Sequence, residues 1–276
     1  MTAPDQSARP IGVFDSGVGG LSVLKALRAE LPTENFVYVA DSGFAPYGER
    51  DEAFVIERAR TLTQHLQSQA HLNIKALVVA CNTATAAAVH VLRQEHPQLP
   101  IIGVEPALKP AAALSHTKRI GVLATRSTLN SQKFKTLLHG LTGQAEFICQ
   151  PCDGLADAIE RDDTPKIRAL CAQYTGSTGQ FGIKNGLIDC LVLGCTHYPF
   201  ASDHFRQLVG PEVHLVDNGE PVARHTRRML HQLNASSQPG SLRLLSTGQP
   251  GALSLAVERW LGERACQAER LDSITR

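Results

Sequence analysis

The sequence predicts an α/β protein made of two similar parallel-sheet domains related by a pseudo-twofold, with an active site in the cleft between them. Three observations lead there. Short β-branched runs alternate with segments of helical spacing, the runs are apolar at consecutive positions, and the chain echoes itself about 110 residues on. Its 276 residues, 43% hydrophobic and 19% charged, suit two domains and can bury enough apolar surface to offset chain entropy.

The runs 11–15, 35–40, 76–80, 100–104, 119–124, 191–194 and 214–217 each end in a small or polar residue and read as strands. Helical spacing fills 21–31, 51–71, 83–95, 131–138 and 222–233 between them. Strands apolar on both faces belong in parallel sheets covered by helices, and such sheets bind ligands beyond their carboxyl ends. Ile11-Gly-Val-Phe-Asp-Ser recurs in outline as Ile120-Gly-Val-Leu-Ala-Thr, 109 residues later. Val78-Val79-Ala80-Cys81-Asn82-Thr83 is matched by Val192-Leu193-Gly194-Cys195-Thr196-His197, with the two cysteines 114 residues apart. Pro-Ala-Leu-Lys-Pro at 106–110 and Asn-Gly-Glu-Pro at 218–221 interrupt the pattern and mark the boundaries, giving one domain over 1–107 plus 222–276 and another over 108–221. Residues 234–241 read as a surface loop and 263–276 as a solvated helix.

Lys and Arg number 27 against 26 Asp and Glu, a net charge of +1 that gives no strong field for nucleic acid or an acidic membrane. No apolar stretch approaches the roughly 20 residues of a membrane-spanning helix. Residues 1–10 lack the apolar core of a secretion signal, and seven cysteines at irregular spacing suit a reducing compartment, so a cytoplasmic location with free thiols is expected.

Cys81 and Cys195 each follow a buried strand and precede a helix-patterned segment, where backbone N–H groups and the helix dipole favour thiolate. An ordinary thiol has a pKa of about 8.5, and such surroundings lower it to roughly 3.5–7.5. Buried cysteine is also a common small hydrophobe. Two at matching places suit a particular chemistry: a base fixed on one face of a carbon cannot return a proton to the other, so inversion needs two groups.

Five motifs in order, Phe14-Asp-Ser-Gly-Val-Gly-Gly-Leu-Ser, Asp41-Ser-Gly-Phe-Ala-Pro-Tyr-Gly-Glu, Val79-Ala-Cys-Asn-Thr-Ala-Thr, Gly121-Val-Leu-Ala-Thr and Leu193-Gly-Cys-Thr-His-Tyr-Pro, resemble the cofactor-independent glutamate racemases of the aspartate/glutamate racemase superfamily. The resemblance implies that Cys81 acts on D-glutamate and Cys195 on L-glutamate, assisted by Asp15 and His197. It implies substrate binding by Asp15, Ser16, Tyr47, Gly48, Asn82, Thr83, Thr196 and His197. It also points to an acidic residue in Cys152-Asp-Gly-Leu-Ala-Asp-Ala-Ile-Glu160, with Glu160 the better match and Asp157 its rival. The family needs no metal, pyridoxal phosphate or other cofactor and supplies D-glutamate for peptidoglycan. A homodimer, a muramoyl-peptide activator and a contact with DNA gyrase are implied by analogy alone. Gly43 departs from the family, which more often has Ala there.

Taken singly, Asp15 with Ser16 is also a helix-start signal, and the hydroxyl and amide residues are ordinary turn formers. Cys149-Gln-Pro-Cys152 has redox spacing, weak support for zinc or disulfide exchange without further ligands. Gly17-Val-Gly19-Gly20 fails the dinucleotide pattern because position 22 is Ser. The other readings are racemisation of aspartate by the same thiols, a thiol redox protein built on Cys149 and Cys152, and a binding module without catalysis.

Overall fold

Residues that are aliphatic at every position of a strand need cover on both sheet faces, and the computed structural model gives them that cover. It describes residues 8–69, 72–230 and 238–271. The elements begin with β1 (Ile11–Asp15), α1 (Leu21–Glu30), β2 (Phe36–Ala40), α2 (Glu52–Ser68), β3 (Ala76–Val79), α3 (Asn82–Glu95) and β4 (Ile101–Gly103). There follow α4 (Leu108–Leu114), β5 (Arg119–Ala124), α5 (Arg126–Asn130), α6 (Gln132–His139), β6 (Glu146–Pro151), α7 (Leu155–Glu160), α8 (Thr164–Thr178), β7 (Cys190–Leu193), α9 (Ser202–Val209) and β8 (His214–Val216). The last are α10 (Gly219–Met229), β9 (Leu242–Ser246), α11 (Pro250–Leu261) and β10 (Ala268–Arg270).

The chain divides into two units, Met1–Val104 with Gly219–Arg276, and Glu105–Asn218. The breaks fall three residues ahead of the 107 and 221 read from the prolines. The reason is local. Ala107 already packs in the second unit's core and Glu105 pairs with Lys133 at 3.0 Å, while Gly219 begins α10 of the first unit. Within 106–110, Pro110 stands in the first turn of α4, where a missing N–H costs nothing.

In the first unit six parallel strands run in the order β10-β9-β2-β1-β3-β4, with every residue of β1, β2 and β3 buried. In the second, four parallel strands run β6-β5-β7-β8. Numbered by appearance within its own unit, the set β2-β1-β3-β4 has the order second, first, third, fourth, and β6-β5-β7-β8 has the same order. β3 and β7 thus hold equivalent places, each beside the central first strand, with Phe14 opposite Val79 and Leu123 opposite Leu193.

The strands read from sequence are all present within a residue at either end, whereas β6, β9 and β10 escape that reading. β6 is an edge strand of mixed polarity, half-exposed along most of its length. β9 pairs with β2 from Phe36 opposite Leu242 to Ala40 opposite Ser246, carrying the C-terminal region onto the first sheet. The segment read as a solvated helix at 263–276 instead holds edge strand β10. Glu269 meets Arg243 at 2.7 Å, and the Ala268 N–H donates to Ser254 Oγ at 2.9 Å. Its residues 272–276, part of the loop at 234–241, and the ends of the helices read at 51–71 and 222–233 lie outside the described residues. No helix among the described residues is long and apolar enough to cross a membrane.

Candidate active site

In the first unit, the carboxyl ends of adjacent strands bring together Asp15, Ser16 and Cys81. Asp15 is wholly buried, so its carboxylate needs fixed donors. The Gly20 N–H supplies one at 2.6 Å, and Ser16 Oγ lies 3.5 Å from the other oxygen. Gly20 has to be glycine, since a Cβ there would stand 2.7 Å from the Asp15 Cβ and 2.9 Å from the Tyr38 hydroxyl. That hydroxyl donates to the Gly17 carbonyl at 2.6 Å and holds the Gly17–Gly20 bend in place. Asp15 therefore organises the entry to α1, and the glycines serve this close packing.

Cys81 occupies the N-cap position of α3 in extended conformation, and its sulfur accepts the Ala84 N–H at 3.5 Å. The same sulfur lies 3.9 Å from Ser16 Oγ. The sulfur thus stands at the positive end of a 14-residue helix. Thr85 fastens the start of that helix, donating to the Val79 carbonyl at 3.1 Å and accepting the Val104 N–H at 2.9 Å. Asn82 reaches the Val104 carbonyl at 3.4 Å, and Asn82 and Thr83 are both buried.

Tyr47 and Gly48 open a 3₁₀ turn (Tyr47–Glu49) at the end of the loop that follows β2. The Tyr47 hydroxyl donates to Asp41, and burial together with that carboxylate pushes the phenol well above its usual pKa of 10. Asp41 is also bound by Arg58 and Thr247. Asp41 lies in the Asp41-Ser-Gly-Phe-Ala-Pro-Tyr-Gly-Glu motif, but Arg58 and Thr247 come from α2 and from just beyond β9, distant in sequence, and carry no local signal.

In the second unit, Cys195, Thr196 and His197 follow β7 and are all buried. Here the surroundings of the sulfur differ from those of Cys81. No α-helix begins at Cys195: a 3₁₀ turn (Tyr198–Ala201) intervenes before α9, with the Tyr198 N–H donating to the Cys195 carbonyl at 3.1 Å. The expected helix N-terminus is replaced by an imidazole, His197 Nδ1 lying 3.8 Å from the Cys195 sulfur. His197 Nε2 in turn lies 2.8 Å from Glu160 Oε2, at the end of α7. Burial opposes charge on His197, yet hydrogen bonds with Cys195 and Glu160 outweigh it and raise the imidazole well above its ordinary range. The imidazole thus stands beside Cys195 where the helix end stands beside Cys81. Asp157 faces elsewhere, 2.7 Å from Arg161 and 3.7 Å from Lys166, so of the two acidic candidates the geometry joins Glu160 to His197.

None of the seven cysteines is in a disulfide. Burial raises Cys149 to about 11, Cys171 and Cys190 to about 12, and Cys152 further still. Protonated thiols are poor nucleophiles, so Cys149 in β6 and Cys152 beyond it lack the low pKa of an exchanging pair. Among the described residues no three His, Cys, Asp or Glu side chains gather as a metal site.

Residues 11–239 match the family Asp/Glu/Hydantoin racemase. A glutamate racemase of Ralstonia nicotianae is 48% identical over 95% of this chain and 93% of its own length. A crystal structure of a glutamate racemase isoform from Bacillus anthracis superposes with a TM-score of 0.83 at 29% identity, covering 98% of this chain and all of that one. The structure of Escherichia coli glutamate racemase in complex with L-glutamate and the activator UDP-MurNAc-ala gives a TM-score of 0.79 at 28% identity, covering 95% of this chain and 98% of that one. A thiol poised at the carboxyl end of the third strand in each of two like sheets is thus found in a chain that belongs to the Asp/Glu/Hydantoin racemase family, an isomerase acting on amino acids.

Proposed function

We propose that this chain interconverts L- and D-glutamate by two-base transfer of the α-proton, Cys81 serving D-glutamate and Cys195 serving L-glutamate. The observation that carries this reading is the equivalence of β3 and β7: each is followed by a buried cysteine with a polar partner, the Ala84 N–H at the helix end in one unit and His197 in the other. Glutamate as the substrate rests on the relatives, one of which is bound to L-glutamate.

From L-glutamate, the Cys195 thiolate takes the α-proton, and the electron pair of the C–H bond stays on carbon, delocalised into the α-carboxylate. The planar carbanion then takes a proton from the Cys81 thiol on the opposite face, leaving Cys81 as thiolate. The reverse direction exchanges the two roles. His197, held by Glu160, is the hydrogen-bond partner of Cys195, and Asp15 orients the neighbourhood of Cys81 through Ser16. Fixed donors that meet the growing negative charge contribute most to such catalysis. Asn82, Thr83 and Thr196 are of that type, and Tyr47 and Gly48 complete the set that the family resemblance implies for substrate binding.

D-glutamate so formed would serve peptidoglycan synthesis in the cytoplasm. The partners that go with this reading are a second copy of the chain and an activator of the UDP-MurNAc-ala kind seen with the Escherichia coli relative. Circular dichroism of L-glutamate and of L-aspartate, each incubated with the purified protein and no added cofactor, tests the substrate. The signal of glutamate is expected to decay to zero while that of aspartate persists; decay with aspartate alone, or with neither, contradicts the reading.

A further inference from the structure

Asp41 and Arg58 form an ion pair that is almost wholly removed from water, their side chains 0% and 6% exposed. Burying two charges costs several kcal/mol per ion, and an apolar pair of similar volume is often as stable or more so. Such a pair is therefore better explained by what it holds in place than by the stability it adds. Arg58 Nε and Nη2 grip both Asp41 oxygens, at 3.0 and 2.8 Å, in the two-pronged geometry of a guanidinium fork. Its Cζ lies 3.6 Å from the ring centroid of Phe44, in the loop that begins at Asp41. Thr247, just beyond β9, donates its hydroxyl to Asp41 Oδ1 at 2.9 Å and accepts the Gly43 N–H at 3.2 Å. Gly43 makes that approach possible, because a Cβ there would stand 2.8 Å from the Thr247 carbonyl oxygen. The remaining group on Asp41 is the Tyr47 hydroxyl. The loop from Asp41 to Tyr47 is thus fastened at its start, middle and end by α2 and β9. Tyr47 packs in the same apolar cluster as Cys81.

From this geometry we infer that Arg58 and Thr247 are positioning residues, which act through Asp41 to fix Tyr47 and Gly48 where the substrate is bound. The inference rests on the glutamate racemase reading for what Tyr47 and Gly48 touch, and on the structure alone for the clamp. Neither Arg58 nor Thr247 takes part in proton transfer. Their loss raises KM by freeing the loop, with the proton-transfer step little changed.

The test is Thr247→Val, which keeps the shape of the side chain and removes only its hydroxyl, with Thr247→Ser to restore that hydroxyl. A hydrogen bond to a charged group is worth about 1.5–3 kcal/mol, so KM for both enantiomers is expected to rise about tenfold or more in Thr247→Val, with kcat changed by less than about threefold. Thr247→Ser is expected to bring KM back. Hydrogen exchange followed by mass spectrometry reads the clamp without activity. The peptide spanning residues 41–50 is expected to exchange about tenfold or more faster in Thr247→Val, while peptides from α3 are unchanged. An unchanged KM, or a fall in kcat that tracks a fall in Tm with KM constant, overturns the inference. So does unaltered exchange at 41–50. A wild-type protein silent on glutamate sinks the substrate assignment, and the exchange measurement still decides the clamp.

Discussion

Cys195→Ser is expected to abolish racemisation of glutamate while leaving exchange of the α-hydrogen of D-glutamate with solvent intact, and Cys81→Ser to do the converse with L-glutamate. A hydroxyl is a far weaker acid than a thiol and supplies no anionic base near neutral pH. The loss should therefore span the whole contribution of a general acid–base group, about a hundredfold to ten-thousandfold. Each variant retains one thiol, which can take the proton from its own enantiomer, trade it with water and return it to the same face. The change of one atom in a buried side chain leaves the packing of each core in place, so both variants should melt close to the wild type. Because the equilibrium constant between enantiomers is one, kcat/KM must fall equally in the two directions, and only the exchange experiment shows the one-sidedness. Proton NMR of each enantiomer in deuterated buffer reads it. Near-normal turnover in either variant removes that cysteine from the mechanism.

Glu160→Gln is expected to have the next largest effect, about ten- to a hundredfold on kcat/KM, with a shift in the pH profile that a packing defect would not produce. Burial works against the His197 imidazolium, and the hydrogen bonds with Cys195 and Glu160 reverse it, so the charged form persists well above the ordinary value of about 6.5. Removing the carboxylate takes away one of the two supports. The imidazolium is then lost at lower pH, and the alkaline limb of kcat/KM moves toward neutrality. The linkage to stability has the same sign. A raised histidine contributes stability that is fully present below about pH 6.5 and is lost as pH rises through the raised value. In Glu160→Gln that loss begins earlier. An alkaline limb unmoved by the substitution would mean that His197 does not depend on Glu160.

Much of this was legible in the sequence because a parallel strand covered on both faces writes its burial into consecutive apolar residues, as at β1 and β3. The paired cysteines were legible for the same reason, since each directly follows such a run. What the sequence hid was of two kinds. Edge strands β6 and β10 show no such run, being only partly covered, and the polar end of the chain reads as a solvated helix. The other kind is contact between residues distant in the chain. Thr247 stands 206 positions from the Asp41 it binds, and Glu160 lies 37 from His197. The internal echo also overstated the likeness of the two thiols. Cys81 caps a helix, whereas the Thr-His-Tyr-Pro that follows Cys195 forms a 3₁₀ turn and places an imidazole by the sulfur instead.

The central claim is that two separate thiols serve the two faces of one carbon, and deuterium at early conversion tests it most directly. With L-glutamate in deuterated buffer, the D-glutamate first formed should carry deuterium at the α-carbon, because its proton comes from a Cys81 thiol already exchanged with solvent. The L-glutamate left behind should remain protiated. Equal deuterium in both enantiomers from the outset would mean that one base works both faces, and would contradict the assignment of Cys81 and Cys195 as a pair.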